Sequence, residues 1–313
     1  MPDLILVADI GGTNTRLALA RAGAVLPDTL RRHANADFDG PGALIAAYLS
    51  GQERPPLAGV CAAVAGAVTD GVAFMTNLDW QLSEEALSTA CGGVRAVLMN
   101  DLQAQGHALD HLEPARLRPV IAGQGAAGAP RLVIGVGTGF NAAVVHDTGA
   151  GRIVTASEAG HATLPAFDAQ AAALAAHIAA TGRPPEIEEA LSGRGLSALD
   201  AFLGHGGRPA PQITEAGDAG AAGTLALFAR LLGAVTGDLA LIHLPWGGVY
   251  LAGGVARRMA PHLIPGGFAT AFRAKGRLTP LMERFPISLI DDDFAALAGC
   301  ALNPTGKPPP NTQ

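Results

Sequence analysis

Short apolar runs that stop at glycines set the pattern of this chain. Residues 4–7 and 17–20 are two such runs, joined by Asp9-Ile10-Gly11-Gly12-Thr13-Asn14. Apolar runs linked by Gly-Gly and polar residues predict a β-hairpin. Residues 26–33 have the composition of a third strand, and 42–50 follow a helical pattern. The run 57–65 ends at Gly66 and has the look of a buried strand. Residues 83–90 predict a helix with Ser83 as its N-cap and Glu84 and Glu85 in its first turn. A strand over 95–100 then leads into a helix from Asp101 to about 111.

The stretch 131–145 repeats the opening pattern: apolar run, the turn Gly137-Thr138-Gly139, apolar run. Residues 4–20 and 131–145 therefore read as two copies of one hairpin, one in each half of the chain. Helices follow over 169–180 and 186–191. The apolar stretch 219–244 predicts a long helix broken at Gly237 and stopped by Pro245. A strand over 248–252 ends in Gly253-Gly254, with a helix over 255–262. A strand over 286–290 and a helix over 293–302 complete the pattern. Strands alternating with helices predict an α/β architecture with much parallel sheet.

With 313 residues, the chain has room for two domains. It is 49% hydrophobic but only 4% aromatic, so its core is built mainly from Ala, Val, Leu and Ile. The 21 basic residues are outweighed by 27 acidic ones, and no basic cluster stands out, which argues against nucleic-acid binding. The N-terminus lacks the basic region of a signal peptide. The apolar stretch 239–256 contains His243 and Pro245 and makes a poor membrane span. Three widely spaced cysteines, with no C-x-x-C, suggest neither a disulfide framework nor a zinc knuckle. A cytoplasmic protein with no membrane partner is the expectation.

The first glycine turn lacks the spacing of G-x-G-x-x-G, and no Walker loop exists, because Gly306-Lys307 runs into Pro308. Adjacent glycines still let a ligand approach main-chain N–H groups. Asp9, at the end of a buried strand, suits a hydrated Mg²⁺ near phosphate. Three glycine turns at strand ends, over two halves, suggest a nucleotide clamp. Asn100-Asp101 follows a strand, so both side chains can project into a cleft. An Asp there can take a hydroxyl proton, although an Asp at a helix start also reads as an N-cap. From the residues alone, Glu188 reads as a solvated helix face.

Asp9-Ile10-Gly11-Gly12-Thr13-Asn14, Gly137-Thr138-Gly139 and Leu251-Ala252-Gly253-Gly254 resemble the two phosphate motifs and the adenosine motif of the sugar kinase/heat-shock/actin superfamily. More narrowly, the chain resembles the bacterial ATP-dependent glucokinases over residues 4–302. Thr76-Asn77-Leu78-Asp79-Trp80, Met99-Asn100-Asp101, Ser157-Glu158-Ala159-Gly160-His161 and Glu188-Glu189-Ala190-Leu191-Ser192-Gly193-Arg194-Gly195 match that family's short motifs in order and spacing. The segment after His161 carries no Cys, unlike the zinc-bearing branch of the superfamily. Phe140-Asn141 departs from the glycine-type residue many relatives have there.

The resemblance implies a two-domain, actin-like (ribonuclease-H-like) α/β sugar kinase fold with an active-site cleft between domains, 1–109 plus 294–313 forming the smaller and 110–293 the larger. It implies phosphorylation of the glucose 6-hydroxyl by ATP, with Asp101 as base. Asn77, Asn100, Asp101, Glu158, His161 and Glu188 would hold the sugar. Ala8, Asp9, Ile10, Gly11, Gly12, Thr13, Asn14, Thr138, Gly139, Gly253 and Gly254 would hold ATP, with Asp9 reaching Mg²⁺ through water. A homodimer is also implied. No cationic side chain for the γ-phosphate stands out. The alternatives are a kinase for another hexose or amino sugar, or a non-catalytic sugar sensor. The sensor reading is disfavoured because the first hairpin begins at residue 4, ahead of which the regulators carry a DNA-binding helix pair.

Overall fold

A computed structural model describes residues 3–75 and 80–303. These fall into two compact units. One comprises 3–75, 80–112, 148–156 and 292–303; the other comprises 113–147 and 157–291. The segment 148–156, inside the range expected for the larger domain, groups with the first unit. The reason is local: Arg152 donates to the main-chain oxygen of His107 at 2.9 Å and pairs with Asp110, while Gln103 Nε2 donates to the Val154 carbonyl at 3.0 Å.

The first unit is organised on a sheet in the order Ala24–Val25, Asn14–Arg21, Leu4–Ile10, Leu57–Val64, Arg95–Asn100, with Arg31–Ala34 pairing on Asn14–Arg21. The opening hairpin is antiparallel, and the remaining central pairings are parallel. Side chains alternate across the sheet. Leu6, Ala8 and Ile10 face a core shared with Leu44, Ile45 and Leu87, from helices Pro41–Gly51 and Glu84–Ala90. Val7, Ala18, Ala63 and Cys61 face a second core shared with Ala104, Leu297 and Cys300. Small side chains line that second face, so helices Asp101–Ala108 and Ala295–Leu302 approach closely. A Cβ on Gly299 would overlap the Ala104 carbonyl. The strand expected over 26–33 is split. Pro27, with no N–H to give a ladder, begins a 3₁₀ turn over Pro27–Thr29, and extended structure resumes at Arg31–Ala34.

The second unit carries its own sheet in the order Leu117–Ile121, Ile287–Ile290, Val249–Ala252, Arg131–Val136, Phe140–Thr148. Here too the hairpin is antiparallel and its neighbour strand parallel, so the two expected hairpins both form. The core centres on helix Ala219–His243 with the fully buried rings of Phe228, Phe268, Phe272 and Phe285. That helix runs through Gly237 without a break. Helix Phe268–Arg273 packs into the notch, where a Cβ on Gly237 would lie 2.7 Å from the Phe272 carbonyl oxygen. This packing offsets glycine's helix penalty of about 1 kcal/mol. Lys275 reinforces the contact by donating to the Ala234 carbonyl at 3.0 Å and pairing with Asp238. Among the described residues this is the one helix long and apolar enough to cross a membrane, and 72% of its apolar window is buried.

Candidate active site

In the first unit, Asp9 is the penultimate residue of strand Leu4–Ile10 and Arg16 is its direct partner across the hairpin. Arg16 Nη1 donates to Asp9 Oδ2 at 2.8 Å, and Nη2 lies 4.0 Å from Asp293 Oδ1. Burial raises the proton affinity of Asp9, and Arg16 acts against that rise. Arg16 is a cation beside the first glycine turn that motif reading passed over. Its signal was the hairpin register itself, which pairs position 9 with position 16 once the turn is centred on Gly12-Thr13. Within the turn, the Gly11 N–H donates to the Asn14 carbonyl at 3.0 Å, and Asn35 ties down the Gly11 and Thr13 carbonyls. Ala8 and Ile10 are buried in the ladder, Gly12 is partly open and Thr13 is exposed. Asn14 accepts from Arg32.

Asn100 ends strand Arg95–Asn100 and Asp101 opens helix Asp101–Ala108. The N-cap is Asn100, not Asp101. Its Oδ1 accepts the Leu102 N–H at 2.9 Å, and Gln103 Oε1 accepts the Asn100 N–H at 3.1 Å, completing a capping box. Asn100 Nδ2 also donates to the Gly66 carbonyl at 3.0 Å. Asp101 is thereby relieved of sole capping duty, although its Oδ1 also receives the Leu102 N–H at 2.9 Å. Its carboxyl sits deep among protein atoms, and burial, with the Asp9 carboxylate second, pushes its pKa up to about 7. Asn77 lies outside the described residues.

In the second unit, Thr138 is exposed at the tip of the Gly137-Thr138-Gly139 turn. The turn is held by Gly137 N–H to the Gly139 carbonyl at 2.9 Å and by Gly193 N–H to the Gly137 carbonyl at 2.8 Å. Glu188 is not a solvated helix position. Its Oε2 accepts the Phe140 N–H at 2.9 Å and its Oε1 accepts from Arg194 at 2.6 Å. Ser192 caps helix Gly193–Phe202 by accepting the Gly195 N–H, and donates to the Glu188 carbonyl. Arg194 carried no signal in the motif reading, because only the fold turns its guanidinium back onto Glu188.

Asn141, the departure from the glycine-type residue of many relatives, has a task of its own. Its Oδ1 accepts the Ala159 N–H at 3.0 Å and the Ser157 hydroxyl at 3.2 Å, which anchors the loop carrying the exposed Glu158. His161 ends the 3₁₀ turn Ala159–His161 and places Nδ1 2.8 Å from Glu186 Oε2. That hydrogen bond raises its pKa, with the Glu188 and Glu158 carboxylates adding to the effect. Gly253 adopts φ +98° beside the Val136 carbonyl, while the Cβ position of Gly254, first residue of helix Gly254–Leu263, is open.

Among the described residues no cluster of three or more His, Cys, Asp or Glu could hold a metal ion. Mg²⁺ needs less than that, since it keeps most of its water and takes one or two carboxylates plus phosphate oxygens. Asp9 is one such carboxylate, although its Oδ2 already accepts from Arg16 at 2.8 Å and its burial disfavours the charged form.

A mixed sheet opening in a glycine-turn hairpin in each unit, with an Asn-Asp pair at a strand-to-helix junction, is the architecture of the sugar kinases. The chain belongs to the glucokinase family, whose model matches residues 6–305. A glucokinase of a Caulobacter species is 37% identical over 319 residues, covering 96% of each chain. One from Cupriavidus pinatubonensis is 36% identical, covering 95% of this chain and 90% of that one. Among solved structures, a glucokinase from an Antarctic psychrotroph superposes with a TM-score of 0.84 at 29% identity, covering 98% of this chain and 100% of that one. A ROK-family glucokinase from Streptomyces griseus, solved with glucose and AMPPNP, shares the fold at a TM-score of 0.68 and 20% identity, over 95% and 98% of the chains.

Proposed function

We propose that this chain transfers the γ-phosphoryl group of ATP to the 6-hydroxyl of glucose, with Asp101 as the base. The observation that carries the assignment is the placement of Asp101 at the junction of strand Arg95–Asn100 and helix Asp101–Ala108, beside Asn100, which takes the cap. Burial there also pushes its pKa up to about 7, in the range of a general base working at neutral pH. Asn100 keeps one amide N–H beyond the bond to Gly66 and serves a neighbouring hydroxyl. Glu188 is held from two sides, and a carboxylate has about four acceptor sites, so capacity remains for sugar hydroxyls. Glu158 and His161 take others, and the motif match adds Asn77. On the nucleotide, Gly12 and Thr13 of the first turn and Thr138 and Gly139 of the second serve phosphates. Gly254 leaves room for the nucleoside, and Gly253 shapes the turn that presents it.

Asp9 would hold Mg²⁺ through water, and the ion would neutralise phosphate charge. Phosphoryl transfer asks little covalent work of a protein, so positioning and charge stabilisation supply most of the rate. Arg16, anchored on Asp9, adds positive charge beside the first phosphate turn. The same reading includes a cytoplasmic homodimer, and size-exclusion chromatography with light scattering tests the dimer. The central experiment is a coupled ADP-release assay across a panel of hexoses. Glucose is expected to give the highest kcat/KM. Faster turnover of fructose or N-acetylmannosamine would overturn the substrate while leaving the family intact.

A further inference from the structure

His161 and Glu186 sit on two backbone segments that are stitched together. The Ile187 N–H donates to the Ala162 carbonyl at 2.9 Å, the Leu164 N–H donates to the Pro185 carbonyl at 2.8 Å, and Thr163 bridges Glu186. Glu186 immediately precedes helix Ile187–Ala190, so its backbone is set by the same turn that presents Glu188. Its carboxylate is three-quarters buried, while the imidazole of His161 is 59% exposed. The restraint therefore acts from the protein side and leaves the far edge of the ring open.

From this geometry we infer that Glu186 is a positioning residue for glucose recognition: it fixes the ring and the tautomer of His161, so that Nε2 meets the sugar. An ionised carboxylate can only accept, so Nδ1 must carry a hydrogen when it lies 2.8 Å from Glu186 Oε2. In the neutral ring Nε2 is then an acceptor. In the protonated ring it is a donor toward a hydroxyl oxygen. The groups bearing on the ring are the carboxylates of Glu186, Glu188 and Glu158, and all three favour the protonated form. Arg194 is bound to the Glu188 carboxylate at 2.6 Å. The sequence motif around Glu188 does not contain Glu186, and nothing in the spacing of 161 and 186 joins them before the chain folds.

The inference rests on the assignment of His161 to the sugar, and the test separates the two. Glucose KM and kcat are measured between pH 5.5 and 9 for wild type, Glu186→Ala, Glu186→Gln and His161→Ala. The His161 ring titration is followed by NMR in the unliganded protein. In Glu186→Ala the ring loses its restraint, and the glucose KM is expected to rise roughly three- to tenfold, the worth of one hydrogen bond, with kcat falling less than KM rises. Glu186→Gln can still accept from Nδ1–H. It should keep most of the affinity at low pH while the midpoints of both the KM profile and the NMR titration move down. A Glu186→Ala variant with unchanged KM and unchanged His161 titration, beside a raised KM in His161→Ala, overturns the positioning role alone. An unchanged KM in His161→Ala removes His161 from the sugar site, and the inference falls with it.

Discussion

Glu188 accepts the main-chain N–H of Phe140 at 2.9 Å, one residue past a glycine whose Cβ would overlap that same carboxylate. The second glycine turn and the candidate sugar-binding acid are thus one packed object. Gly139→Ala must push Glu188 away, breaking the Phe140 bond and loosening the Arg194 pair. We expect the glucose KM to rise about tenfold or more while stability falls by less than the roughly 1–3 kcal/mol of overpacking, because the end of the Glu188 side chain can swing aside. Calorimetric glucose titration beside a thermal melt checks both. Unaltered glucose affinity would show that Glu188 is not needed where the structure holds it.

The two adjacent glycines at 253 and 254 should behave differently. Gly253 has φ +98° and its Cβ position is 2.5 Å from the Val136 carbonyl oxygen, so Gly253→Val strains the fold itself, at a cost of about 1–3 kcal/mol from the backbone alone. Around Gly254 the nearest heavy atom to an added Cβ is Arg258 Nη1 at 3.9 Å. Gly254→Val should melt within a few degrees of wild type yet bind ATP at least tenfold more weakly, with glucose binding preserved. Nucleotide titration of the two variants, set against their melting temperatures, separates the effects. Full ATP affinity in Gly254→Val would remove that turn from the nucleotide site.

Asp101→Asn keeps shape and hydrogen bonding but removes the proton acceptor. The expected loss in kcat is on the order of 10²–10⁴, with glucose Kd changed far less. In wild type, kcat/KM should climb as pH rises through about 7, as the carboxyl ionises. Stability runs the other way. The folded protein holds this proton more tightly than the unfolded chain does. Ionising Asp101 therefore costs nothing below the unfolded carboxylate pKa of roughly 3.9, and the cost is complete above about 7. Asp101→Asn should melt higher than wild type at pH 8, with the gap closing as pH falls toward 4. A folded variant that binds glucose and turns over within about tenfold of wild type, short of the general-base range, would take Asp101 out of the mechanism.

Helix Asp101–Ala108 owes its position partly to a glycine almost two hundred positions away. A Cβ on Gly299 would overlap the Ala104 carbonyl, so Gly299→Ala must separate the two helices. We expect a loss of about 1–3 kcal/mol and a fall in kcat larger than any change in ATP KM, because the displaced helix carries Asp101 at its first turn. Steady-state kinetics at a temperature well below the melt of the variant would decide this. Wild-type kcat there would mean that the Asp101 geometry tolerates the shift.

Local patterning was enough to read the two hairpins, the strand leading into Asn100-Asp101 and the strand leading into Gly253-Gly254. Each depends on an apolar run meeting a glycine or a cap, and those signals lie within a few residues of one another. The order and spacing of the short motifs carried the family. The Asp9–Arg16 pair was also encoded locally, in the hairpin register, although motif reading passed over it.

Contacts distant in sequence were decided only on folding. Gly237 looks like a helix breaker until helix Phe268–Arg273 fills its notch, whereas Pro27, which turns a plausible strand into a 3₁₀ turn, was a local signal passed over. The capping box of Asn100 with Gln103 is local, but the bond that holds the Asn100 amide to the Gly66 carbonyl is not. The grip of Arg194 and Phe140 on Glu188, the anchoring of the Glu158 loop by Asn141 and the contact of Glu186 with His161 join positions that no periodicity relates. Sequence determines which groups are present and what each strand or helix end can offer. Hydrogen-bond partners and pKa values depend on burial and on neighbours within about 3–6 Å, and for these residues the tertiary structure alone supplied both.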